Sequence, residues 1–165
     1  MRFKLTVFLL SLLVVSTLFC TSLAHVPILP EKYQAITEKE VGQFIDEYLT
    51  RFMAMEVDPL MALFSKDVIE NRVLPYSDIK AAYTRVTATS ESVSCKFKIY
   101  SIKTYKQSAY VTGHYEAIQL FRDNLFVKIF EGDIQWVLVR EDGVLRIKEV
   151  NYGKYRRGVG PPVPP

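Results

Sequence analysis

Cysteine and histidine are scarce in this sequence. The 165 residues include two cysteines, Cys20 and Cys95, and two histidines, His25 and His114. Cys20 lies in a segment typical of a removable leader, so the mature chain would keep one cysteine and form no internal disulfide. One cysteine and two distant histidines have no metal-ligand spacing, and no nucleophile motif or phosphate loop is present. We therefore expect no metal, no cofactor and a fold stabilised by its core.

The sequence also lacks a large surplus of charge of one sign. It has 21 Lys and Arg residues against 18 Asp and Glu, and loss of Arg2 and Lys4 with a leader would leave 19 basic residues. A nucleic-acid binder normally needs a basic surplus that displaces counterions from phosphates. Near-neutrality argues against a nucleic-acid partner, and the basic cluster at 154–157 is typical of a solvated chain end.

The N-terminus has the three parts of an export signal. Arg2 and Lys4 precede an apolar stretch over 7–19, and Ser22-Leu23-Ala24 forms a small-x-small cleavage site. We expect cleavage after Ala24 and an exported protein, either periplasmic or secreted outside the cell. The alternative is an uncleaved membrane anchor, because residues 5–26 carry no charge and are long enough to span a bilayer.

Three helices are predicted, and each has a start signal in the sequence. Thr37 and Glu40 have the spacing of a capping box. Asp58-Pro59 supplies an N-cap followed by a proline at the first helical position, and Ser77 supplies a third N-cap. Apolar residues at helical intervals then predict helices over 37–52, 58–64 and 77–86.

Strands are predicted in the second half of the chain. A short strand over 68–73 comes first, and from residue 92 the apolar residues recur every second position. Gly113 and Gly132 fall inside these runs, where glycine marks a bulge or a bend. The polar turns at 106–107, 123–124 and 141–143 separate strands over 92–104, 108–122, 126–140 and 144–152.

Helices followed by an antiparallel meander define an α+β fold. We expect the three N-terminal helices to pack on one face of a curved antiparallel sheet. The predicted organisation is a signal peptide over 1–24, an extended lead-in over 25–36, one domain over 37–153 and a basic, proline-rich tail over 154–165.

Three local stretches carry a family resemblance: FIDEYL at 44–49, DPLMALFSKDV at 58–68, and WVLVREDG at 136–143 before Arg146-Ile147. With the order of elements, they resemble the nuclear transport factor 2-like superfamily, which includes ketosteroid isomerases, scytalone dehydratase and polyketide cyclases. The resemblance implies a cystatin-like cone over residues 37–153. It does not imply an activity, because this superfamily contains both enzymes and catalytically inert binding modules.

The resemblance also implies a carboxylate base and hydrogen-bond donors in an apolar pocket. Tyr48 stands where the ketosteroid isomerase resemblance would place a donor tyrosine, although a core tyrosine with a satisfied hydroxyl is the ordinary alternative. Arg72 occupies the position of the base and cannot accept a proton, so Glu70 would have to do so from a shifted register. Asp133 is the nearest counterpart of the isomerase's protonated acid. The implied pocket-lining residues are Phe52, Arg72 and Trp136.

Strand alternation places two further reactive side chains. His114 alternates with the more polar residues of its strand, so we expect it on the outer face of the sheet, away from the pocket. Cys95 alternates with lysines and should point inward with Phe97 and Ile99 as a small hydrophobe.

These residues favour a non-catalytic binding or assembly module with a small apolar pocket. The expected partners are a small apolar ligand and a second copy in a homodimer. The alternative is an enzyme of isomerase or dehydratase type, in which Tyr48 and Asp133 polarise a small carbonyl compound and Glu70 accepts a proton. A third reading is an oligomerisation platform whose tail recruits a partner.

Overall fold

The chain is described by a computed structural model that covers residues 34–122 and 126–160. The predicted signal peptide, the lead-in up to residue 33, the turn at 123–124 and the chain after residue 160 lie outside the described residues. The helices are α1 (Glu38–Met53), α2 (Val57–Met61) and α3 (Tyr76–Thr89). The strands are β1 (Phe64–Glu70), β2 (Leu74–Pro75), β3 (Ser90–Thr104), β4 (Ser108–Phe121), β5 (Val127–Glu141) and β6 (Val144–Gly160).

Helix α1 begins as predicted, at an N-cap formed by Thr37. The Thr37 hydroxyl oxygen accepts a hydrogen bond from the Glu40 backbone N–H at 3.2 Å. The expected reciprocal half of the capping box does not form, because the Glu40 carboxylate binds Arg140 instead. The buried residues of the helix recur at helical spacing, so one face packs on the sheet: Val41, Phe44, Ile45 and Tyr48.

The next helices differ from their predicted starts. Helix α2 begins at Val57 and ends at Met61, because Phe64 already belongs to β1 and pairs with β6. The strand expected over 68–73 is therefore β1, which starts earlier. Helix α3 begins at Tyr76 rather than after Ser77, whose hydroxyl donates to the Asp78 carboxylate.

The six strands form one curved sheet in the order β2-β1-β6-β5-β4-β3. Strands β3 to β6 form the predicted antiparallel meander. Strand β1 lies beside β6 and runs parallel to it, which the sequence did not predict. The long chain between β1 and β6 allows this parallel return, which a short turn could not make.

The two strand glycines lie beside irregularities in the ladder, as predicted. The β3–β4 register shifts between Ile99 and Ser101, next to the partner of Gly113, and the β5–β6 register shifts between Gly132 and Ile134. Such bulges bend the strands and increase their twist. The bent sheet and the helices enclose an apolar core whose largest fully buried side chains are Trp136, Phe64, Met61, Ile79, Leu138 and Ile147.

Strand β6 is longer than expected. Its pairing with β5 continues to Gly160, opposite Val127, so the first part of the predicted tail extends the sheet. Within residues 34–122 and 126–160, no helix is long and apolar enough to cross a bilayer.

A buried ion pair joins the start of α1 to the β5–β6 hairpin. The Arg140 guanidinium holds the Glu40 carboxylate by two contacts of 2.7 and 2.8 Å and also donates to the Gly143 carbonyl at 3.2 Å. The Arg140 side chain is 4% exposed and that of Glu40 33%. Such bidentate pairs fix geometry as well as charge.

Glu40→Gln should destabilise the protein by about 2 kcal/mol, because it leaves a buried guanidinium without its counter-charge. Glu38→Gln is the matched control, since it removes a carboxylate from the same helical turn, where the helix dipole contributes less than about 1 kcal/mol. Urea unfolding measures both. Equal losses in the two variants would show that the buried pair contributes nothing of its own.

Candidate ligand-binding cavity

A cavity of about 500 Å³ lies between α1, α3 and the concave face of the sheet. Its walls come from elements far apart in the sequence, and most of them are apolar. Representative wall residues are Ile79, Val86, Val93, Ala117, Phe130 and Ile134. The cavity is in the size range of sites for small molecules, which are concave and largely apolar with a few placed polar groups.

Four of the residues named from the sequence line this cavity: Tyr48, Phe52, Glu70 and Trp136. Tyr48 and Phe52 lie on α1 one turn apart, and their rings stack with centroids 6.1 Å apart. Glu70 is the last residue of β1 and lies at half-buried depth. The structure therefore brings the helix tyrosine and the strand carboxyl to one hollow.

Stacked aromatic rings form one wall. Trp136 contacts Tyr48 edge to face at 4.7 Å and stacks on Phe97 at 5.1 Å. Phe97 passes so close to Gly113 that a Cβ there would lie 2.9 Å from its ring and 2.7 Å from the Lys98 carbonyl oxygen. Glycine at 113 is therefore required for the ring to lie flat against the sheet.

Three tyrosine hydroxyls meet inside the cavity. The hydroxyl oxygens of Tyr48 and Tyr83 lie 2.8 Å apart, and the Tyr152 hydroxyl interacts with that of Tyr83. Burial is the main cause that raises the pKa of each of these phenols well above its ordinary value, so all three stay protonated at neutral pH. At most two of the three hydroxyl protons are used within this cluster, which leaves at least one for a further acceptor.

Glu70 is the carboxyl in the cavity wall that could act as an acid or a base. Burial raises its pKa above the ordinary value. Its charge also contributes to the raised pKa of Tyr48, Tyr83 and Tyr152, which line the same cavity. A carboxyl whose pKa is raised toward neutral pH is better suited to take up and release protons at that pH.

Two residues named from the sequence lie elsewhere. Arg72, expected in the pocket lining, is exposed in the turn after β1, where it and Asn71 both have positive φ values of 65° and 50°. Asn71 lines the cavity in its place and accepts a hydrogen bond from the Tyr152 backbone at 2.8 Å. The reversal of the backbone at these two residues sends the guanidinium outward.

Asp133 also lies outside the cavity. It stands on the outer face of the sheet, directly across from His114, with 3.0 Å between its carboxylate oxygen and the histidine Nδ1. Its neighbours Gly132 and Ile134 are the residues of this stretch that face the interior. Strand alternation thus separates Asp133 from Tyr48, and His114 occupies the outer face as expected.

Sequence reasoning missed Tyr83, Tyr152 and Gln119 as cavity residues. Tyr83 belongs to the predicted apolar face of α3, and Gln119 has the same parity as the inward residues of β4, so both carried a signal. Tyr152 did not, because the shift in the β5–β6 register changes which residues of β6 face inward.

Cys95 lies inward beside Phe97, as predicted, and also lines the cavity. Ile99, expected with them, is 41% exposed and lies where the β3–β4 register begins to shift. Burial raises the pKa of the Cys95 thiol to about 11, so it is an unreactive part of the wall at neutral pH. Within the described ranges, no three His, Cys, Asp or Glu side chains are placed to hold a metal ion.

Helices that close over a curved sheet, with a cavity between them, define the nuclear transport factor 2-like fold, and solved structures support this assignment. A superfamily protein from Salmonella enterica serovar Typhimurium matches with a TM-score of 0.60 and 21% identity, over 76% of this chain and 91% of that one. A protein named as a candidate scytalone dehydratase, from Novosphingobium aromaticivorans, matches with a TM-score of 0.63 and 16% identity, over 72% and 85%.

A conserved protein from Planctomyces limnophilus has the same fold, with a TM-score of 0.65 and 15% identity over 73% of this chain and 96% of its own. At these identities the likeness establishes the fold and leaves the function to be argued from the site. No family model matches the sequence, and the search of curated proteins gives no significant match.

Glu70→Gln should raise the free energy of unfolding near neutral pH. Because burial raises the pKa of Glu70 in the folded state, the folded protein binds this proton more tightly than the unfolded chain. The stability it contributes is complete below the unfolded pKa and decreases as the pH rises through the folded pKa. The amide carries no charge and should remove this decrease.

Urea unfolding between about pH 4 and pH 7 measures the effect. Glu91→Gln, which changes an exposed carboxylate on β3, is the matched control. A Glu70→Gln variant that is less stable than the wild type at neutral pH would contradict this account.

Proposed function

We propose that this protein is a binding module for a small, largely apolar molecule that carries a carbonyl group. The carrying observation is the cavity of about 500 Å³ with the hydroxyls of Tyr48, Tyr83 and Tyr152 gathered inside it. The apolar walls would hold the body of the ligand. The proton not used within the tyrosine cluster would be donated to the carbonyl oxygen.

Binding without catalysis is supported by the position of two expected catalytic residues outside the cavity. A polarised carbonyl normally needs two donors and a nearby base for efficient proton transfer. Here Asp133, the expected second donor, lies on the outer face, and Arg72, at the expected position of the base, is exposed and cannot accept a proton. Of the residues expected to act in catalysis, only Tyr48 and Glu70 lie in the cavity. The tyrosine cluster can therefore orient a carbonyl compound, while most of the remaining wall offers only packing.

We also propose that the protein is exported, with residues 1–24 removed, and that two copies pair through the outer face of the sheet. Export is supported by the N-terminal sequence. Pairing is supported by the exposed aromatic residues on that side, Tyr100, Tyr105 and Tyr110. The mass of the protein recovered from its host, under native and denaturing conditions, tests both.

Binding can be tested with 2-decalone, a rigid two-ring ketone, and its parent hydrocarbon decalin. Trp136 is the single tryptophan of the chain and lines the cavity, so its emission reports entry of a ligand. We expect 2-decalone to bind more tightly than decalin. Tyr83→Phe should weaken 2-decalone binding about three- to tenfold by disrupting the hydroxyl cluster, the range of one net hydrogen bond.

Tyr110→Phe is the matched control for this experiment, because Tyr110 is exposed and carries its hydroxyl on the outer face. It should leave the affinity unchanged. An unchanged Trp136 emission with both compounds would contradict binding in the cavity, and equal affinity in Tyr83→Phe and the wild type would exclude the hydroxyl cluster as the recognition element.

A second candidate function is proton transfer next to a carbonyl, as in an isomerase or dehydratase. It is favoured by the raised pKa of Glu70, whose carboxyl shares the cavity with the tyrosine hydroxyls. In this reaction the Glu70 carboxylate takes the proton from the carbon beside the carbonyl, and the electrons of that C–H bond form the enolate. The tyrosine cluster donates a hydrogen bond to the enolate oxygen, and Glu70 returns the proton to carbon.

Deuterium exchange into 2-decalone in D2O tests this chemistry. An enzyme of this type should accelerate uptake beside the carbonyl, and Glu70→Gln should remove at least about a hundredfold of that acceleration. Glu91→Gln should exchange like the wild type. If wild type and Glu70→Gln exchange at the same rate, Glu70 is not a base and simple binding is the better description.

A further inference from the structure

Gln119 is a buried polar residue that neither function above uses. It lies on β4, is 5% exposed and lines the cavity. Its side-chain nitrogen donates to the Ser90 hydroxyl at 2.9 Å and to the Thr89 hydroxyl at 3.2 Å. These two hydroxyls lie where α3 ends and β3 begins.

The orientation of the Gln119 amide is fixed by the other bonds of its partners. The Ser90 hydroxyl donates its proton to the Val86 carbonyl, and the Thr89 hydroxyl donates to the Arg85 carbonyl at 2.9 Å. Each hydroxyl has a single proton, so toward Gln119 both can only accept. The amide must therefore turn its NH2 group to them and its oxygen Oε1 away.

The carbonyl oxygen of Gln119 has no donor among the described residues. Among the described residues, the side-chain atom that has neither exposed surface nor a hydrogen-bond partner is Arg140 Nε. Gln119 Oε1 therefore keeps some accessible surface, and it can be reached from the cavity that Gln119 lines. Buried acceptors without a partner are uncommon and call for an explanation. A molecule in the cavity with a donor at this position would supply one.

This acceptor is well separated from the tyrosine cluster. Tyr83 and Thr89 lie six residues apart on α3, so their Cα atoms are about 9 Å apart along the helix axis. The wall between them is apolar, with Val86 and Ala117. The cavity therefore has a donor at one end, an acceptor at the other and packing surface in between.

We propose that Gln119 binds the end of the ligand opposite the carbonyl and selects carbonyl compounds that carry a hydroxyl or N–H donor there. This inference rests on the proposed binding function and adds a ligand class to it. The carbonyl accepts from the tyrosines while the donor at the other end binds Gln119 Oε1. A ligand with only one of these groups leaves one polar end of the cavity unmatched.

The test compares 2-decalone, 6-hydroxy-2-decalone and 6-methoxy-2-decalone by calorimetry on the full chain. The methoxy compound keeps the oxygen and loses the donor. In the wild type we expect the hydroxyl compound to bind about tenfold more tightly than the methoxy compound. In Gln119→Met, which has a similar shape and no acceptor oxygen, the hydroxyl and methoxy compounds should bind equally.

Each outcome separates the two proposals. If 2-decalone does not bind the wild type, the cavity function itself fails. If 2-decalone binds but the wild type does not distinguish hydroxyl from methoxy, only the role of Gln119 fails, and this comparison needs no variant to fold. Retention of the full preference in Gln119→Met would likewise overturn it.

Discussion

The contact between Tyr48 and Trp136 is the interaction on which the cavity depends. On one side of these rings, the face of α1 formed by Val41 and Phe44 packs directly on the sheet and makes the core. On the other side, the bent strands move away from the helices and the space stays open. The edge-to-face pair thus divides the space between the helices and the sheet into a filled half and a hollow half. The two large rings form this division, and no separate structural element is needed.

The two halves differ in how their polar groups are paired. Arg140 and Glu40, at the filled end, neutralise each other by a bidentate contact. At the open end, neutral hydroxyls bond to one another, and a single carboxyl lies near them. Charge is thus paired where the structure must be rigid, while uncharged hydrogen-bonding capacity is left where a molecule can enter.

Much of the fold could be predicted from the sequence because its signals are local. The Thr37 cap, the apolar face of α1 and the alternation that directs His114 outward all depend on neighbours within a few residues. The same alternation, applied to Asp133, would have placed it outside; there the expectation followed the family resemblance instead. Long-range features were not readable, such as the parallel pairing of β1 with β6.

The cavity itself was less predictable for two physical reasons. The backbone of Asn71 and Arg72 is left-handed, a conformation that arginine does not signal, and it decides which of the two faces the interior. The tyrosine cluster joins residues from α1, α3 and β6, so its existence depends on tertiary packing. A hydroxyl network of this kind becomes visible only when all three elements are in place.

The position of Cys95 has a consequence for redox behaviour. Thiol–disulfide exchange requires a thiolate that another sulfur can reach, and this thiol combines a pKa of about 11 with a place in the cavity wall. An oxidising compartment would then leave it reduced, and two chains would not become covalently linked through it. A single cysteine is tolerated here because the cavity wall keeps its sulfur away from other thiols. The apolar lining that would bind a ligand therefore also protects the protein from cross-linking.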